Sequence, residues 1–255
     1  MEALEIRGLS KNFGALQVFN DLDLSVAEGE CLGLIGPNGA GKTTLLNVIS
    51  GVLPSSSGRV RLCGRDITNA PMYRRAHLGL ARSFQITRIF RDISVLDNLM
   101  LALHGTLRSR YDMFRPAVSY QDIVARAQQL LESVGLWQRR DELAKNMSYG
   151  EQKKIEIALA LSSAPKVLLL DEPTAGLDIA EIPEFVKLIK AVARGTTVLF
   201  SAHDMDVVFG LAERVVVLYT GRIIADGTPG EIQSDPLVKE CYLGAEKGDR
   251  GVTRH

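Results

Sequence analysis

One stretch of eight residues constrains the fold of this chain more than any other feature. It reads Gly-Pro-Asn-Gly-Ala-Gly-Lys-Thr over residues 36–43 and fits the pattern G-x-x-x-x-G-K-[ST] at every defined position. An apolar run, Cys31–Ile35, precedes it, and a helical pattern, Lys42–Ser50, follows and stops at Gly51. A strand, a glycine-rich loop and a helix in this order predict a phosphate-binding loop in an α/β fold.

The predicted chemistry of this loop follows from its residue types. Glycines let the backbone curl so that successive N–H groups face phosphate oxygens, aided by the start of the helix. Lys42 would reach the β- and γ-phosphates of a nucleotide, and the Thr43 hydroxyl would coordinate Mg²⁺. The alternative is a glycine-rich turn without a ligand, and the flanking strand and helix argue against it. The predicted phosphate-binding residues are Gly36, Pro37, Asn38, Gly39, Ala40, Gly41, Lys42, Thr43 and Thr44.

Two acids follow a second apolar run. Residues 167–170 are all apolar, and Asp171, Glu172 and Pro173 come directly after them. Asp171 fits the carboxylate that holds Mg²⁺, and Glu172 fits the base that polarises the attacking water. Alone, an acidic pair at a strand end can equally be a solvated turn. Together with a phosphate loop, the pair predicts a P-loop nucleoside triphosphatase.

Two kinds of hydrophobic pattern predict two kinds of strand. The runs at 31–35, 167–170 and 197–200 are nearly continuous, as in parallel strands that are covered on both faces. Apolar residues alternate with polar ones over 22–26 and 60–62, which predicts half-buried antiparallel strands. We therefore expect an α/β P-loop core with an antiparallel β-subdomain.

Helical periodicity replaces the strand patterns between about residues 94 and 150, where an apolar stripe runs through 123–134. This indicates an α-helical subdomain over about 94–160, inserted into the α/β core. We expect one domain over 1–244. The charged, glycine-containing end predicts a disordered tail over 245–255.

Charge and hydropathy argue against several classes of function. The chain of 255 residues has 30 basic and 30 acidic side chains, so no net field draws it to nucleic acid. It opens without the pattern of a signal peptide, and its apolar runs are far shorter than the roughly 20 residues that cross a bilayer. We expect a soluble chain that would serve a membrane only through a partner.

A further motif narrows the class by its resemblance to a known family. Residues 148–152, Ser-Tyr-Gly-Glu-Gln, resemble the signature motif of ABC ATPases, commonly Leu-Ser-Gly-Gly-Gln. Tyr149 stands in place of the first glycine, and Met147 in place of leucine. Such a helix start can present N–H groups and a serine hydroxyl to a γ-phosphate, although by itself it is only a capped helix. The resemblance makes Ser148 and Gly150 candidate nucleotide contacts.

Four more positions match the family in the expected order. Gln85 resembles the Q-loop glutamine, which contacts Mg²⁺ and water and senses the membrane partner. Asp178, in Ala-Gly-Leu-Asp, resembles the D-loop residue that crosses a dimer interface. His203 resembles the switch histidine at the γ-phosphate, and Phe13 resembles the aromatic ring that stacks on adenine. The resemblance spans about residues 4–243.

The resemblance implies an enzyme that hydrolyses ATP to ADP and phosphate with Mg²⁺ and drives a transporter. Its catalytic residues would be Glu172, His203 and Gln85, and its metal ligands Thr43, Gln85 and Asp171. Its partners would be transmembrane permease subunits, a second identical or paralogous ATPase in a head-to-tail dimer and, indirectly, a solute-binding protein, without nucleic acid. The chain would lie peripherally on the cytoplasmic face of the cell membrane.

One branch of the family is the most similar. Residues 80–85 (LARSFQ), 88–90 (RIF), the Ser-Tyr-Gly of the signature and the segment 227–244 resemble the ATPases of branched-chain amino acid importers. Importers of urea, amides or aromatic acids have similar ATPases and stay open as alternatives.

Two functions of other classes compete with that of a transporter ATPase. A soluble ABC ATPase acting on DNA, RNA or protein complexes is disfavoured by the balanced charge and the single cassette. A non-catalytic binding module is disfavoured by the presence of both Glu172 and His203.

Overall fold

A computed structural model describes residues 1–83, 89–106 and 120–240, which contain ten strands and eight α-helices. The strands are β1 (Glu2–Phe13), β2 (Leu16–Ala27), β3 (Cys31–Ile35), β4 (Ser57–Leu62), β5 (Arg65–Asp66), β6 (Leu80–Arg82), β7 (Val167–Asp171), β8 (Thr197–Ser201), β9 (Arg214–Tyr219) and β10 (Arg222–Gly227). The helices are α1 (Lys42–Ser50), α2 (Met72–His77), α3 (Val95–Thr106), α4 (Tyr120–Ser133), α5 (Tyr149–Leu161), α6 (Ile182–Val192), α7 (Met205–Leu211) and α8 (Pro229–Ser234). Within the described ranges, no helix has the length and apolar character needed to span a membrane.

The larger sheet has the strand order β10-β9-β3-β8-β7-β6. Its strands pair in parallel except for β10, which returns antiparallel to β9. The continuous apolar runs predicted to be buried parallel strands are β3, β7 and β8. On β7, Leu168 and Leu170 pack into one core, whereas Val167 and Leu169 pack into the other. Both faces of this sheet are therefore covered, as the absence of alternation predicts.

The smaller sheet is antiparallel and has the order β2-β1-β4-β5. Its buried side chains share a core with Leu45, Leu46 and Ile49 of α1 and with one face of the larger sheet. Helix α1 therefore lies between the two sheets. Because its first residue is Lys42, this packing also fixes the end of the phosphate loop.

The second core lies on the other face of the larger sheet. It contains apolar residues of α3, α4 and α5, and the predicted stripe within 123–134 is the buried face of α4. These three helices follow β6 and precede β7. The boundaries of an inserted subdomain at about 94–160 and of a single domain at 1–244 stay predictions, and the predicted tail over 245–255 lies outside the described residues.

Candidate nucleotide-binding and hydrolysis site

The loop between β3 and α1 requires glycine by its geometry. Gly36, Gly39 and Gly41 adopt φ angles of +151°, +80° and +105°, a region that residues with side chains rarely occupy. At Gly36, a Cβ atom would lie 2.0 Å from the backbone oxygen of Leu218 on β9. The loop thus folds tightly against β9 before α1 begins.

Lys42 is buried inside the curl of this loop, with 6% of its surface exposed. Its Nζ donates to the carbonyl oxygens of Gly36 at 2.6 Å and Pro37 at 3.2 Å. Burial lowers the pKa of Lys42, while the carboxylates of Glu172 and Asp171 act in the opposite direction. The ammonium is held where it could exchange these carbonyls for phosphate oxygens.

An open cleft of about 330 Å³ lies beside the loop. Its walls come from β1, β2, the loop, the start of α1 and the turn after β7, and the lining residues are Phe13, Leu16, Val18, Asn38, Gly39, Ala40, Gly41, Lys42, Thr43, Thr44 and Glu172. Phe13 is 46% exposed, and the Lys11 ammonium lies 4.7 Å from its ring centroid. This cation engages the π-system of the ring. The ring borders the cleft, which is where a ring that stacks on a nucleobase would have to lie.

Asp171, the last residue of β7, is surrounded by donors. It receives hydrogen bonds from the hydroxyls of Ser201 at 2.8 Å and Thr43 at 3.3 Å, both at Oδ1. Its Oδ2 accepts from Arg82 at 3.0 Å, in an ion pair whose side chains are 6% and 1% exposed. Arg82 also donates to Asn47 Oδ1 and Ser50 Oγ on α1. Asp171 is thereby fixed to β6, β8 and α1 at once.

The oxygen atoms at this point suit a magnesium ion. A hydroxyl from Thr43 and a carboxylate from Asp171 are ligands of the kind that Mg²⁺ takes in proteins. In the described part of the chain, no group of three or more His, Cys, Asp or Glu side chains could hold a metal ion. Phosphate oxygens and water would have to complete the shell, as is usual for Mg²⁺ bound with a nucleotide. Gln85, the third predicted ligand, lies outside the described residues.

Glu172 follows Asp171 in a backbone conformation that is unusual for a residue with a side chain, with φ of +47°. Its N–H group donates to the Ser201 carbonyl oxygen at 3.2 Å and to the Ser201 hydroxyl at 3.0 Å. This turn directs Glu172 into the wall of the cleft. His203 lies beside it, with Nδ1 at 3.8 Å from Glu172 Oε1, and its side chain is 62% exposed. The structure thus brings two of the three predicted catalytic residues, Glu172 and His203, together beside the loop, while Gln85 lies outside the described residues.

The signature residues lie elsewhere in the chain. Ser148 caps α5: its hydroxyl accepts the Glu151 N–H at 3.2 Å, and the Glu151 carboxylate accepts the Ser148 N–H at 2.8 Å. Because the Ser148 hydroxyl acts as the acceptor in this cap, the cap does not use its hydroxyl proton, which could be donated to a ligand. Ser148, Gly150 and Asp178 are not among the described residues that line the phosphate-loop cleft. One copy of the chain therefore does not bring all the predicted nucleotide contacts to one place.

Two residues of the site were not predicted. Ser201 bonds both predicted acids, and its position opposite Asp171 follows from the parallel register of β7 and β8. Arg82 is 89 positions from Asp171 along the chain. The only available signal for Ser201 was a hydroxyl residue at the end of an apolar strand, and for Arg82 there was none.

Comparisons with known proteins give the family. The sequence model of the ABC transporter family matches residues 19–175. A second family model, that of the branched-chain amino acid ATP-binding cassette transporter, matches residues 222–248. The chain is 38% identical over 250 residues to the high-affinity branched-chain amino acid transport ATP-binding protein LivG of Salmonella typhimurium, covering 94% of this chain and 97% of the relative. It is also 38% identical over 244 residues to the lipopolysaccharide export system ATP-binding protein LptB of Acidithiobacillus ferridurans, covering 95% and 97%.

A solved structure confirms the fold class. The ADP conformation of MJ1267, an ATP-binding cassette of an ABC transporter, superposes with a TM-score of 0.83 at 32% identity, covering 96% of this chain and 99% of that one. The α/β P-loop core with its antiparallel sheet and helices is therefore the fold of an ATP-binding cassette. Since sequence similarity of this degree extends along nearly the whole chain, the protein belongs to the ABC transporter ATPases, the ATP-binding and ATP-hydrolysing subunits that power membrane transporters.

Proposed function

We propose that this chain powers the import of branched-chain or closely related amino acids. Identity alone does not decide the solute, because the chain shares 38% with both LivG and LptB. The observation that carries the proposal is the match of residues 222–248, which include β10 and α8, to the branched-chain amino acid cassette model. Importers of urea, amides or aromatic acids are the alternatives, and the similarity to LptB adds a lipid exporter.

The site geometry supports a specific role for each residue in hydrolysis. Loop N–H groups and Lys42 would hold the phosphates. Mg²⁺, held by Thr43 and Asp171, would neutralise charge on the β- and γ-phosphates when bound. Glu172 would accept a proton from the water whose oxygen attacks the γ-phosphorus, as the bond to the β-γ bridging oxygen breaks and ADP leaves. His203, next to Glu172, would contact the γ-phosphate.

A head-to-tail dimer accounts for the position of the signature. Ser148 is exposed, retains a proton to donate and does not line the cleft of its own chain. In such a dimer, Ser148 and Gly150 of one copy would face the ATP held by the loop of the other, with Asp178 at the interface. Apposition of the two chains would exclude water and strengthen the interactions with the phosphates. The second copy would be identical or a paralogous ATPase.

Mixing two inactive variants tests this arrangement. Lys42→Ala removes the loop lysine, and Ser148→Arg blocks the signature, so each variant alone is expected to be inactive. In a mixed dimer, one of the two sites keeps a native loop and a native signature. We expect partial ATPase activity to return on mixing, measured as phosphate release.

The control is a mixture of two loop variants, Lys42→Ala with Thr43→Ala, which cannot form a native site and should stay inactive. Absence of recovery, with mixed dimers shown to form, would contradict contact across the subunits.

Phe90 is a candidate anchor for the permease. Phe90 is 65% exposed, although its backbone is fixed by Asn98, whose side chain donates to the Phe90 carbonyl oxygen at 3.0 Å and accepts from the Phe90 N–H group at 2.8 Å. Exposed aromatic residues on a rigid backbone suit an interface hot spot. The neighbouring apolar residue, Ile89, is 8% exposed and packs in the core, so it does not offer a second anchor. The permease would seat its cytoplasmic helices here, on the cytoplasmic face of the membrane, with a solute-binding protein on the opposite side.

Complementation of cells that lack this chain tests both the docking site and the solute. Wild type should restore leucine uptake, whereas Phe90→Glu should not, because a charge replaces the apolar contact with the permease. The purified variant should keep most of its basal ATPase activity, because Phe90 does not line the nucleotide cleft. Uptake of labelled leucine and phosphate release are the two measurements.

Leu237→Glu is a matched control, since Leu237 is 58% exposed and lies beyond α8. It should restore uptake. Full uptake with Phe90→Glu would place the docking surface elsewhere. If loss of the chain changed uptake of urea or an amide, or export of a lipid, and left amino acids unaffected, the proposed solute would be wrong while the transporter ATPase would stand.

A further inference from the structure

Tyr149, the residue at which the signature departs from the usual glycine, contacts the turn that follows the predicted base. Its hydroxyl donates to the carbonyl oxygen of Ala175 at 3.1 Å. Its ring lies against Gly176, where a Cβ atom would be 2.9 Å from the ring and where φ is +82°. The Tyr149 ring and the backbone of this turn therefore fit each other closely.

The same turn is bonded to Glu172. The N–H group of Ala175 donates to the carbonyl oxygen of Glu172 at 3.0 Å. Ala175 thus binds Glu172 through its N–H group and Tyr149 through its carbonyl group. Because Glu172 has a positive φ, its conformation persists only while its surroundings hold it. Tyr149 belongs to those surroundings.

A second contact joins the same two segments. The Glu181 carboxylate accepts the N–H group of Asp178 at 3.2 Å, and a Cβ atom on Gly150 would lie 3.1 Å from the same carboxylate. The first two residues of α5 therefore both pack on the segment 175–181. The signature of one chain is mechanically connected to the base of that same chain.

We infer that Tyr149 is a positioning residue that couples the two ATP sites of the dimer. The inference rests on the proposed head-to-tail arrangement, in which Ser148 acts on the partner's ATP and Glu172 acts on the ATP of its own loop. Tyr149 lies between them within one chain. A shift of α5 on engaging the partner's ATP would reach the Glu172 turn through the Tyr149 hydroxyl and ring. A glycine at this position could make neither side-chain contact.

Mixed dimers with one active base test the direction of this coupling. One chain carries Glu172→Gln, so only the base of the other chain acts. Tyr149→Phe, which keeps the ring and removes the hydroxyl, is placed either in the chain with the active base or in its partner, whose Ser148 serves the active site. We expect placement with the active base to lower kcat about three- to tenfold, the effect of losing one hydrogen bond, with little change in KM. Placement in the partner should give a clearly smaller loss.

The symmetric Tyr149→Phe dimer supplies a second readout. Its Hill coefficient for ATP should be lower than that of wild type, and the Hill coefficient of the symmetric Tyr149→Gly dimer should be lower still. The midpoint of thermal unfolding of Tyr149→Phe should stay at the wild-type value. Tyr73→Phe, at an exposed tyrosine on α2, is the matched control and should change neither quantity.

The outcomes separate this inference from the proposed function. If the mixture of Lys42→Ala and Ser148→Arg chains stays inactive although mixed dimers form, the head-to-tail arrangement and the coupling both fail. If those dimers are active but the two placements of Tyr149→Phe lose activity equally, or neither loses any, the head-to-tail arrangement stands and the coupling through Tyr149 is overturned.

Discussion

Replacing Glu172 with Gln should lower ATP turnover about 100-fold or more, since a positioned base contributes a factor of this order. The substitution keeps the shape of the side chain and removes only its capacity to accept a proton. The backbone geometry at this position depends on bonds from the Glu172 N–H group to Ser201, which the variant retains. ATP binding should therefore be nearly unchanged. Because hydrolysis is what reopens the proposed dimer, the variant should also accumulate as a long-lived ATP-bound dimer.

Turnover is measured as phosphate release under saturating ATP, and ATP binding is measured by fluorescence. Size-exclusion chromatography with ATP detects the long-lived dimer. Glu184→Gln, at an exposed carboxylate on α6, is the matched control and should hydrolyse ATP like wild type. Undiminished turnover of Glu172→Gln would remove Glu172 from the role of base. A loss of ATP affinity equal to the loss of turnover would instead assign it to binding.

Features of the fold that depend on neighbours along the chain could be predicted from the sequence. The phosphate loop is one example, because Gly36 and Lys42 meet through a local curl of the backbone. The buried strands β3, β7 and β8 are another, because burial on both faces leaves a continuous apolar run. By contrast, β6 has only three residues, too few to show a period.

Features that depend on distant segments could not be predicted. Ser201 acts through the register between β7 and β8, and Arg82 through the position of β6 beside β7. Ile89 and Phe90 lie in an irregular segment, where no period indicates which of two adjacent apolar residues faces the core. Tyr149 was visible only as a departure from the family pattern, and its contact with Ala175 required the three-dimensional structure.

The buried ion pair of Arg82 and Asp171 leads to the second large effect. Arg82→Met would leave the Asp171 carboxylate buried with two hydroxyl donors but without the positive side chain that now lies 3.0 Å away. The oxygen atoms Asn47 Oδ1 and Ser50 Oγ would also lose the hydrogen bonds that Arg82 donates to them. Removing one partner of a buried pair costs about 3–5 kcal/mol, mostly because the other charge is left uncompensated. For a chain of this size we therefore expect the midpoint of thermal unfolding to fall by about 10 °C.

Arg7→Met provides the matched control, because Arg7 pairs with Glu5 at 2.9 Å but its side chain is 64% exposed. An exposed pair contributes about 0–1 kcal/mol, so this variant should unfold close to the wild-type temperature. Added Mg²⁺ and ATP should raise the unfolding midpoint of Arg82→Met by more than that of wild type, because a cation beside Asp171 would replace part of the lost positive charge. Equal destabilisation by the two substitutions, or an equal response to Mg²⁺ and ATP in Arg82→Met and wild type, would show that Arg82 does not compensate the charge of Asp171.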